Sequence, residues 1–192
     1  MNIRSAKIKR VCIAMLVMLM GFCTACSKKG DVVQDNKSSD DENIEILTST
    51  YPTTFYVLGA HVDFDDRIVS KDISLTDVDK IHVDGKEWAM IVVNDIDNDI
   101  SYDKSDWEMI VEKVQSNLNI NCMYIGNTEY QAMYNAGYYT DKLSNESNVM
   151  SLGMVHEGTE IVNSFGMYTG EDDVKDLASR LMSEEVYCLK QR

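Results

Sequence analysis

Five aspartates lie close together at the spacing of a calcium-binding loop. Asp95, Asp97, Asp99, Asp103 and Asp106 stand at the first, third, fifth, ninth and twelfth places of a stretch like the loop of an EF-hand. Hard cations such as Ca²⁺ bind several oxygen ligands on a loop that wraps around them. We therefore interpret Asp95, Asp97, Asp99 and Asp103 as candidate ligands of Ca²⁺ or another divalent cation.

The same stretch departs from a calcium loop in two places. Ile100 stands where the sharp turn needs glycine, and Asp106 replaces the long glutamate that binds with both oxygens. An acidic residue such as Asp106 also favours the first turn of a helix, because the helix dipole is positive there. The alternative interpretation is a solvated loop between a strand and a helix, without a bound cofactor.

A second acidic segment follows an earlier apolar run. His61 and Asp63 come after residues 54–59, and Asp95 and Asp97 come after residues 89–94. Ligand sites of open α/β sheets lie at the carboxyl ends of the strands. A histidine with several carboxylates could bind a divalent metal and activate water. These four residues thus define a hypothetical metal-dependent hydrolase, with His61 and Asp63 as its candidate catalytic residues.

Three tyrosines recur at every fourth position. Tyr130, Tyr134 and Tyr138 would form a ridge that stacks on a sugar or a protein partner if they were exposed. The same spacing is typical of the buried face of a helix. We favour the buried face and keep ligand stacking as the alternative.

Several familiar catalytic motifs are missing from the sequence. It has no G-x-S-x-G, no phosphate-binding glycine loop, no C-x-x-C and no H-E-x-x-H. It therefore gives no support to a serine hydrolase, a P-loop nucleotidase, a thiol oxidoreductase or a zincin.

The elements that would position these residues alternate along the chain. Short apolar runs predict buried strands over Thr54–Gly59, Ala89–Asn94 and Asn121–Gly126. Alternating residues over 149–168, around Glu157 and Gly158, predict an antiparallel hairpin. Between residues 60 and 88, a short helix over 75–80 and a hairpin turn near Gly85 are both open.

Three helices are predicted between and after these strands. A capping box formed by Ser105 and Glu108 opens the first, and an apolar stripe that begins at Trp107 follows it. The second runs over 128–136, where Thr128 and Gln131 resemble a capping box, and the third over 171–187. The order predicts an α/β fold, a single three-layer domain with a mainly parallel sheet flanked by helices and a C-terminal hairpin plus helix.

The first residues of the chain predict a secretion signal. Four basic residues precede a 12-residue apolar run, which is too short to span a bilayer and ends before Cys23-Thr24-Ala25-Cys26. This segment resembles the signal of bacterial lipoproteins, in which two small residues precede an acylated cysteine, although Cys23 stands in the usual leucine place. The resemblance implies that residues 1–25 are removed and that Cys26 carries diacylglycerol and palmitate at the outer face of the plasma membrane.

The remaining chain is strongly acidic. From Cys26 onward it has 14 basic and 32 acidic residues, a net charge of −18. This charge repels nucleic acid and argues against it as a partner. Residues 26–50 are polar and predict a flexible tether, and residues 51–192 predict one domain.

Two cysteines remain beyond the lipidation site. Cys122 and Cys188 could pair outside the cytoplasm or stay as buried thiols, and the sequence leaves both alternatives open. With no complete catalytic motif, we expect a non-enzymatic binding or assembly role at the cell surface. The partners would be the membrane, reached through the lipid, and a protein or cell-wall glycan.

Overall fold

The structure is a computed structural model that describes residues 38–140, 150–167 and 175–192. The predicted signal, Cys23 and Cys26 lie outside these ranges. In the part of the chain that the structure describes, no helix combines the length and the apolar character that crossing a bilayer requires.

Three strands coincide with the apolar runs of the sequence. They are β1 (Thr53–Gly59), β3 (Trp88–Asn94) and β4 (Ile120–Gly126), and β3 pairs in parallel with both of the others. Between β1 and β3 in the chain lies β2 (Val69–Asp72), a short edge strand parallel to β1. Every residue of β2 is exposed, so its sequence has no apolar pattern from which a strand could be predicted.

The predicted hairpin is confirmed and belongs to the same sheet. Strands β5 (Met150–Glu157) and β6 (Glu160–Met167) pair antiparallel around a turn in which Gly158 has a φ of +62°. Strand β5 also pairs antiparallel with β4, which gives the order β2-β1-β3-β4-β5-β6. The α/β fold is therefore confirmed, but the sheet is mixed rather than mainly parallel, because the hairpin extends it instead of standing apart.

Helical segments cover both faces of this sheet. In chain order they are α1 (Ser39–Glu45), a π-helical turn (Ile46–Thr50), a 3-10 helix (Leu75–Lys80), α2 (Lys104–Gln115), α3 (Tyr130–Asn135) and α4 (Leu177–Lys190). Strand β3 shows how the layers form, because its alternate residues serve opposite faces. Ile91 and Val93 pack with the 3-10 helix, α2 and α3, whereas Met90 and Val92 pack with α1 and α4.

Helix α2 begins earlier than the sequence predicts. Its N-cap is Asp103, whose carboxylate accepts the amides of Ser105 at 2.7 Å and Asp106 at 3.0 Å. The Asp106 carboxylate accepts the Asp103 amide in return, which completes a capping box. The predicted box of Ser105 and Glu108 is thus wrong, because the Asp103 carboxylate, two residues upstream of Ser105, is the better acceptor. The Ser105 hydroxyl itself donates a hydrogen bond to that carboxylate.

The other two predicted helices also have different boundaries. Helix α3 starts at Tyr130, because the Thr128 hydroxyl bonds to Asp95 instead of capping the helix. Helix α4 begins at Leu177 and extends to Lys190, and the expected residues 171–174 lie outside the described ranges. The short helix over 75–80 is confirmed.

The second half of the predicted tether is a structured part of the domain. Helix α1 and the turn after it bury Ile44 and Leu47 against the face that α4 covers. The Asn43 amide donates to the Ser183 hydroxyl at 2.9 Å, which ties α1 to α4. The expectation of a tether over 26–50 is therefore wrong for residues 38–50. Although the segment is polar in overall composition, two apolar residues three positions apart are enough to pack a short helical segment against the sheet.

Both remaining cysteines are buried free thiols. Cys122 belongs to the core on the α2 side of the sheet, whereas Cys188 lies on α4, which covers the opposite face. The sheet lies between them and prevents a disulfide. Burial raises the pKa of both thiols to about 12, so neither is a ready nucleophile.

Candidate functional site

A cavity lies at the point where the chain changes direction across the sheet. From β1 the chain goes to β2 on one side, and it then returns to β3 on the other side. Open α/β sheets bind ligands at the carboxyl ends of the strands at such a switch point. A cavity of about 320 Å³ lies there, lined by Gly59, Ala60, Asn94, Asp95, Asp97, Asp99 and Ile100.

Gly59 allows β1 and β3 to approach each other closely at the floor of this cavity. Its φ is +86°, a conformation that L side chains rarely adopt. A Cβ at this position would collide with the backbone oxygen of Asn94 and lie 2.7 Å from Ile100 Cδ1. The next amide, of Ala60, donates to the same Asn94 oxygen at 2.9 Å.

Replacing Gly59 with alanine is expected to destabilise the domain more than the same change at Gly85. Gly85 also has positive φ, +61°, but nothing lies within 4 Å of a Cβ there. Gly85→Ala should cost about 1 kcal/mol of backbone strain, and Gly59→Ala about 1–3 kcal/mol more from overpacking. Urea unfolding measures the free energy of unfolding of both variants. Equal losses would contradict the prediction, because the close approach of β1 to β3 at Gly59 would then not affect stability.

Asp95 is a buried residue that holds the loop after β3. Its Oδ1 accepts the Ile100 amide at 2.9 Å, and its Oδ2 accepts the hydroxyls of Tyr124 at 3.0 Å and Thr128 at 2.5 Å. Its backbone oxygen accepts the Asn98 amide at 3.0 Å. Asp95 therefore connects β3, the loop and the segment before α3, and both its carboxylate oxygens are engaged.

Asn94, at the end of β3, is one of the lining residues and has an almost wholly buried side chain. The residue is 2% exposed, and its Nδ2 donates to the Ala60 backbone oxygen at 3.0 Å. Because a backbone carbonyl can only accept, this bond identifies which end of the side chain is nitrogen. Its Oδ1 is buried and has no hydrogen-bond partner among the described residues, which costs free energy in a folded protein.

Asp97 and Asp99 are the exposed acids of the cavity. The loop turns at Asn98, whose φ is +56°, and so places an aspartate on each side of the turn. Within residues 38–140, 150–167 and 175–192, neither carboxylate has a hydrogen bond or an ion pair. Both negative charges are thus available to a ligand.

The structure divides the five aspartates of the predicted cation loop. Asp95, Asp97 and Asp99 line the cavity, whereas Asp103 and Asp106 form the capping box of α2. Among the described residues, no three His, Cys, Asp or Glu side chains are grouped so that they could hold a metal ion. Metal binding by Asp95, Asp97, Asp99 and Asp103 stays a prediction.

The histidine and the first aspartate of the hydrolase hypothesis lie apart from this cavity. His61 is exposed, and its Nδ1 lies 2.8 Å from Asp72 Oδ2 at the end of β2. Asp63 lines a different cavity, of about 360 Å³, beside α1 and α4. The structure brings Asp95 and Asp97 together but does not bring His61 or Asp63 to them.

The tyrosine ridge belongs mainly to the core. Tyr130 and Tyr138 are buried, and their hydroxyls donate to backbone oxygens of Gly126 at 2.8 Å and Leu152 at 2.9 Å. Burial raises the pKa of both phenols. Tyr134 is partly buried with its ring 5.6 Å from that of Tyr139. The three rings thus form no exposed stacking surface. Tyr130 and Tyr134 lie on α3, whereas Tyr138 follows the end of that helix and is held in the core by its hydroxyl.

Sequence reasoning missed the two residues that shape the cavity, Gly59 and Asn94. Each ends an apolar strand, and a glycine or a polar residue at that place is a signal for a site at the carboxyl edge of the sheet. Comparison of the chain with protein-family models, with curated proteins and with solved structures gave no match.

Proposed function

We propose that this chain is a lipid-anchored protein of the outer face of a bacterial plasma membrane, and that it binds a small ligand without transforming it. The cavity between the carboxyl ends of β1 and β3 is the proposed binding site. The observation that carries the proposal is a cavity at the switch point of the sheet, where two exposed acids, Asp97 and Asp99, have no partner among the described residues. Open α/β sheets bind their ligands at such a switch point.

The chemistry of the cavity favours recognition over catalysis. Its most buried acid, Asp95, is engaged through both oxygens in holding the loop. A general base needs a free acceptor at the reacting proton. Asp97 and Asp99 are exposed and have no described histidine or cysteine beside them on the cavity wall. The wall therefore suits hydrogen bonds and charge pairing with a ligand.

The proposed anchor would hold the binding domain close to the membrane. Helix α1 begins at Ser39, 13 residues after Cys26. A fully extended chain of that length spans at most about 45 Å, so the domain would work near the bilayer surface. This reach is shorter than that of a tether running to residue 50.

The anchor is tested by lipid labelling in a bacterial host. We expect radiolabelled palmitate to enter the full-length chain and Cys26→Ala to abolish both the label and the membrane attachment, because two or more acyl chains hold a protein on a bilayer stably. Cys23→Leu is the matched control and should keep the label, since it restores the usual residue. Palmitate incorporation into Cys26→Ala would overturn the anchor.

The binding site is tested by amide chemical shifts in the full-length chain held in neutral detergent. The probes are calcium chloride, a chitin oligosaccharide, tetralysine and 1,4-diaminobutane. At least one probe should shift the amides of Gly59, Ala60 and Ile100 saturably. If none of the four moves these signals, the cavity is not a ligand site and the proposed function fails.

A further inference from the structure

We infer that the outer edge of β2 binds an extended peptide as a seventh strand of the sheet, and that this peptide carries an acidic residue opposite Lys71. Among the described strands, β2 pairs only with β1. All four residues of β2 are exposed, and Val69 is 52% exposed. Peptides that add a strand to an open sheet edge gain affinity from main-chain hydrogen bonds and specificity from side chains at alternate positions.

The backbone of β2 directs hydrogen-bonding groups away from the sheet. The Ile73 amide donates to the Val57 oxygen at 2.8 Å, which shows that the odd-numbered residues of this segment bond to β1. Because the backbone groups of successive strand residues point to opposite sides, those of Ser70 and Asp72 point outward. Within residues 38–140, 150–167 and 175–192, no group bonds to them. An added strand would supply their partners.

A cavity lies beside this edge, on the face of the sheet that α2 covers further along. Its volume is about 410 Å³, and its wall includes Thr54, Tyr56, Val69 and Lys71. Thr54 stands opposite Val69 in the sheet, and Tyr56 stands opposite Lys71, so the four side chains share one face. Two side chains of an added strand, two positions apart, would therefore lie beside Val69 and Lys71. None of these four residues lines the proposed ligand cavity.

Lys71 determines which charge the peptide carries. Its ammonium lies 5.3 Å from the centre of the Tyr56 ring, and no carboxylate of the described residues pairs with it. The next residue, Asp72, points to the other face, where it lies 2.8 Å from His61 Nδ1. An acidic side chain directly opposite Lys71 would supply the missing partner, because opposite charges in cross-strand pairs stabilise a sheet. A basic side chain at that place would be repelled.

The other charged residues of the cavity act less directly on an added strand. The Arg67 guanidinium is paired with two aspartates, and His82 Nε2 is paired with a third. Glu87 precedes β3, so its backbone would lie about 14 Å, three strand spacings, from the added strand. At about 0.15 M salt, exposed charges further apart than about 8 Å are largely screened. The net charge of −18 after Cys26 is then weakened at a distance, and Lys71 prevails at the edge.

The inference is tested with the full-length chain in neutral detergent, at about 0.15 M salt, and a fluorescently labelled peptide Thr-Val-Thr-Glu-Thr-Val-Thr-amide. This peptide has a valine two positions from the glutamate in both chain directions, so it fits β2 in parallel or antiparallel pairing. Fluorescence anisotropy should show saturable binding. The same peptide with lysine in place of glutamate should bind about fivefold or more weakly, because an attractive pair becomes a repulsive one. The amide proton signals of Ser70 and Asp72 should move downfield as they gain hydrogen bonds.

Three variants of the chain locate the binding. Lys71→Glu should reverse the preference between the two peptides, because it exchanges the charge at the edge. Lys86→Glu is the matched control, since it makes the same charge change at an exposed position outside the cavity and should keep the parent's preference. Ser70→Pro removes an outward amide without removing a bond to β1, and should weaken binding about fivefold or more. Circular dichroism confirms that each variant is folded.

Several results would overturn the inference. They are a failure of the acidic peptide to bind, equal binding of the two peptides, a preference that Lys71→Glu leaves unchanged, and binding that does not move the Ser70 and Asp72 amide signals. If Ser70→Pro does not fold, the charge reversal and the amide signals decide. None of these results bears on the proposed ligand cavity, because the two cavities share no lining residue.

Discussion

Removal of the Asp95 carboxylate is expected to lower the free energy of unfolding by about 3–5 kcal/mol, because three donors, among them the buried Tyr124 hydroxyl, lose a charged acceptor. The Ile100 amide and the hydroxyls of Tyr124 and Thr128 all bond to this carboxylate. Such a loss is a large part of the total stability of a single domain, which is about 5–15 kcal/mol. Urea unfolding of Asp95→Ala, followed by circular dichroism, measures it.

Two variants separate the hydrogen bonds of Asp95 from the charge of the loop. Asp95→Asn keeps one acceptor oxygen for the Ile100 amide and should lose clearly less stability than Asp95→Ala. Asp97→Ala removes an exposed acid two residues later and should change stability by less than about 0.5 kcal/mol. Asp95→Ala as stable as Asp97→Ala would contradict the structural role of Asp95.

Glu185→Gln is expected to make the domain more stable at pH 8 by about 3 kcal/mol and to remove a pH dependence near neutrality. Glu185 is fully buried on α4, and its Oε2 accepts the Asn121 amide at 2.8 Å. Its Oε1 has no hydrogen-bond partner in the part of the chain that the structure describes. Burial raises the pKa of this carboxyl from 4.5 to about 7, against the opposing effects of the Asn121 bond and the Arg192 charge.

The direction of this pH effect follows from proton binding. Between pH 4.5 and about 7 the folded chain holds a proton on Glu185 that the unfolded chain has lost. Stability from this group is therefore fully present below pH 4.5 and is lost as the pH rises through about 7. Glutamine keeps the shape and the acceptor for Asn121 without a charge, so the variant should lack this loss.

Other titratable groups near Glu185 also change stability with pH, but they do so in both the parent and Glu185→Gln. Comparing the two proteins at each pH therefore isolates the effect of Glu185. His156 is buried with its Nδ1 3.1 Å from the Ile120 oxygen, and burial lowers its pKa, so it destabilises the fold at acid pH in both proteins. Arg192 bonds to Asn121 Oδ1 at 3.1 Å, and Cys188 has a raised pKa. Glu112→Gln, an exposed change on α2, is the control for losing one charge. Parallel stability curves for Glu185→Gln and the parent between pH 5 and 8 would contradict the prediction.

Most of the strands could be predicted from the local sequence pattern. Strands β1, β3 and β4 were predictable because a strand covered on both faces must be apolar at nearly every position. The hairpin was predictable because alternation and a glycine turn are local properties. Strand β2 was not, because its four exposed residues owe their conformation to pairing with β1 and not to burial.

The helix boundaries could not be predicted where two neighbouring residues were equally good candidates for the N-cap. Ser105 and Asp103 are both good N-caps by type, and Asp103 prevails because its carboxylate accepts two amides at once. Likewise, the polar composition of residues 26–50 concealed two apolar residues, Ile44 and Leu47, which pack α1 against the sheet. In both cases a specific contact decides the structure, and the local sequence pattern does not show which residue the contact is made with.

The sequence by itself determined the α/β layering, the positions of the buried strands and the acidic character of the loop after β3, because periodicity and charge are written along the chain. Tertiary structure alone decided the strand order, and with it which strand ends meet. It placed Asp97 and Asp99 in one cavity with Gly59 and Asn94, and it paired His61 with Asp72 instead. The physical reason is that a cavity depends on distances between residues remote in the chain, which local propensities do not set.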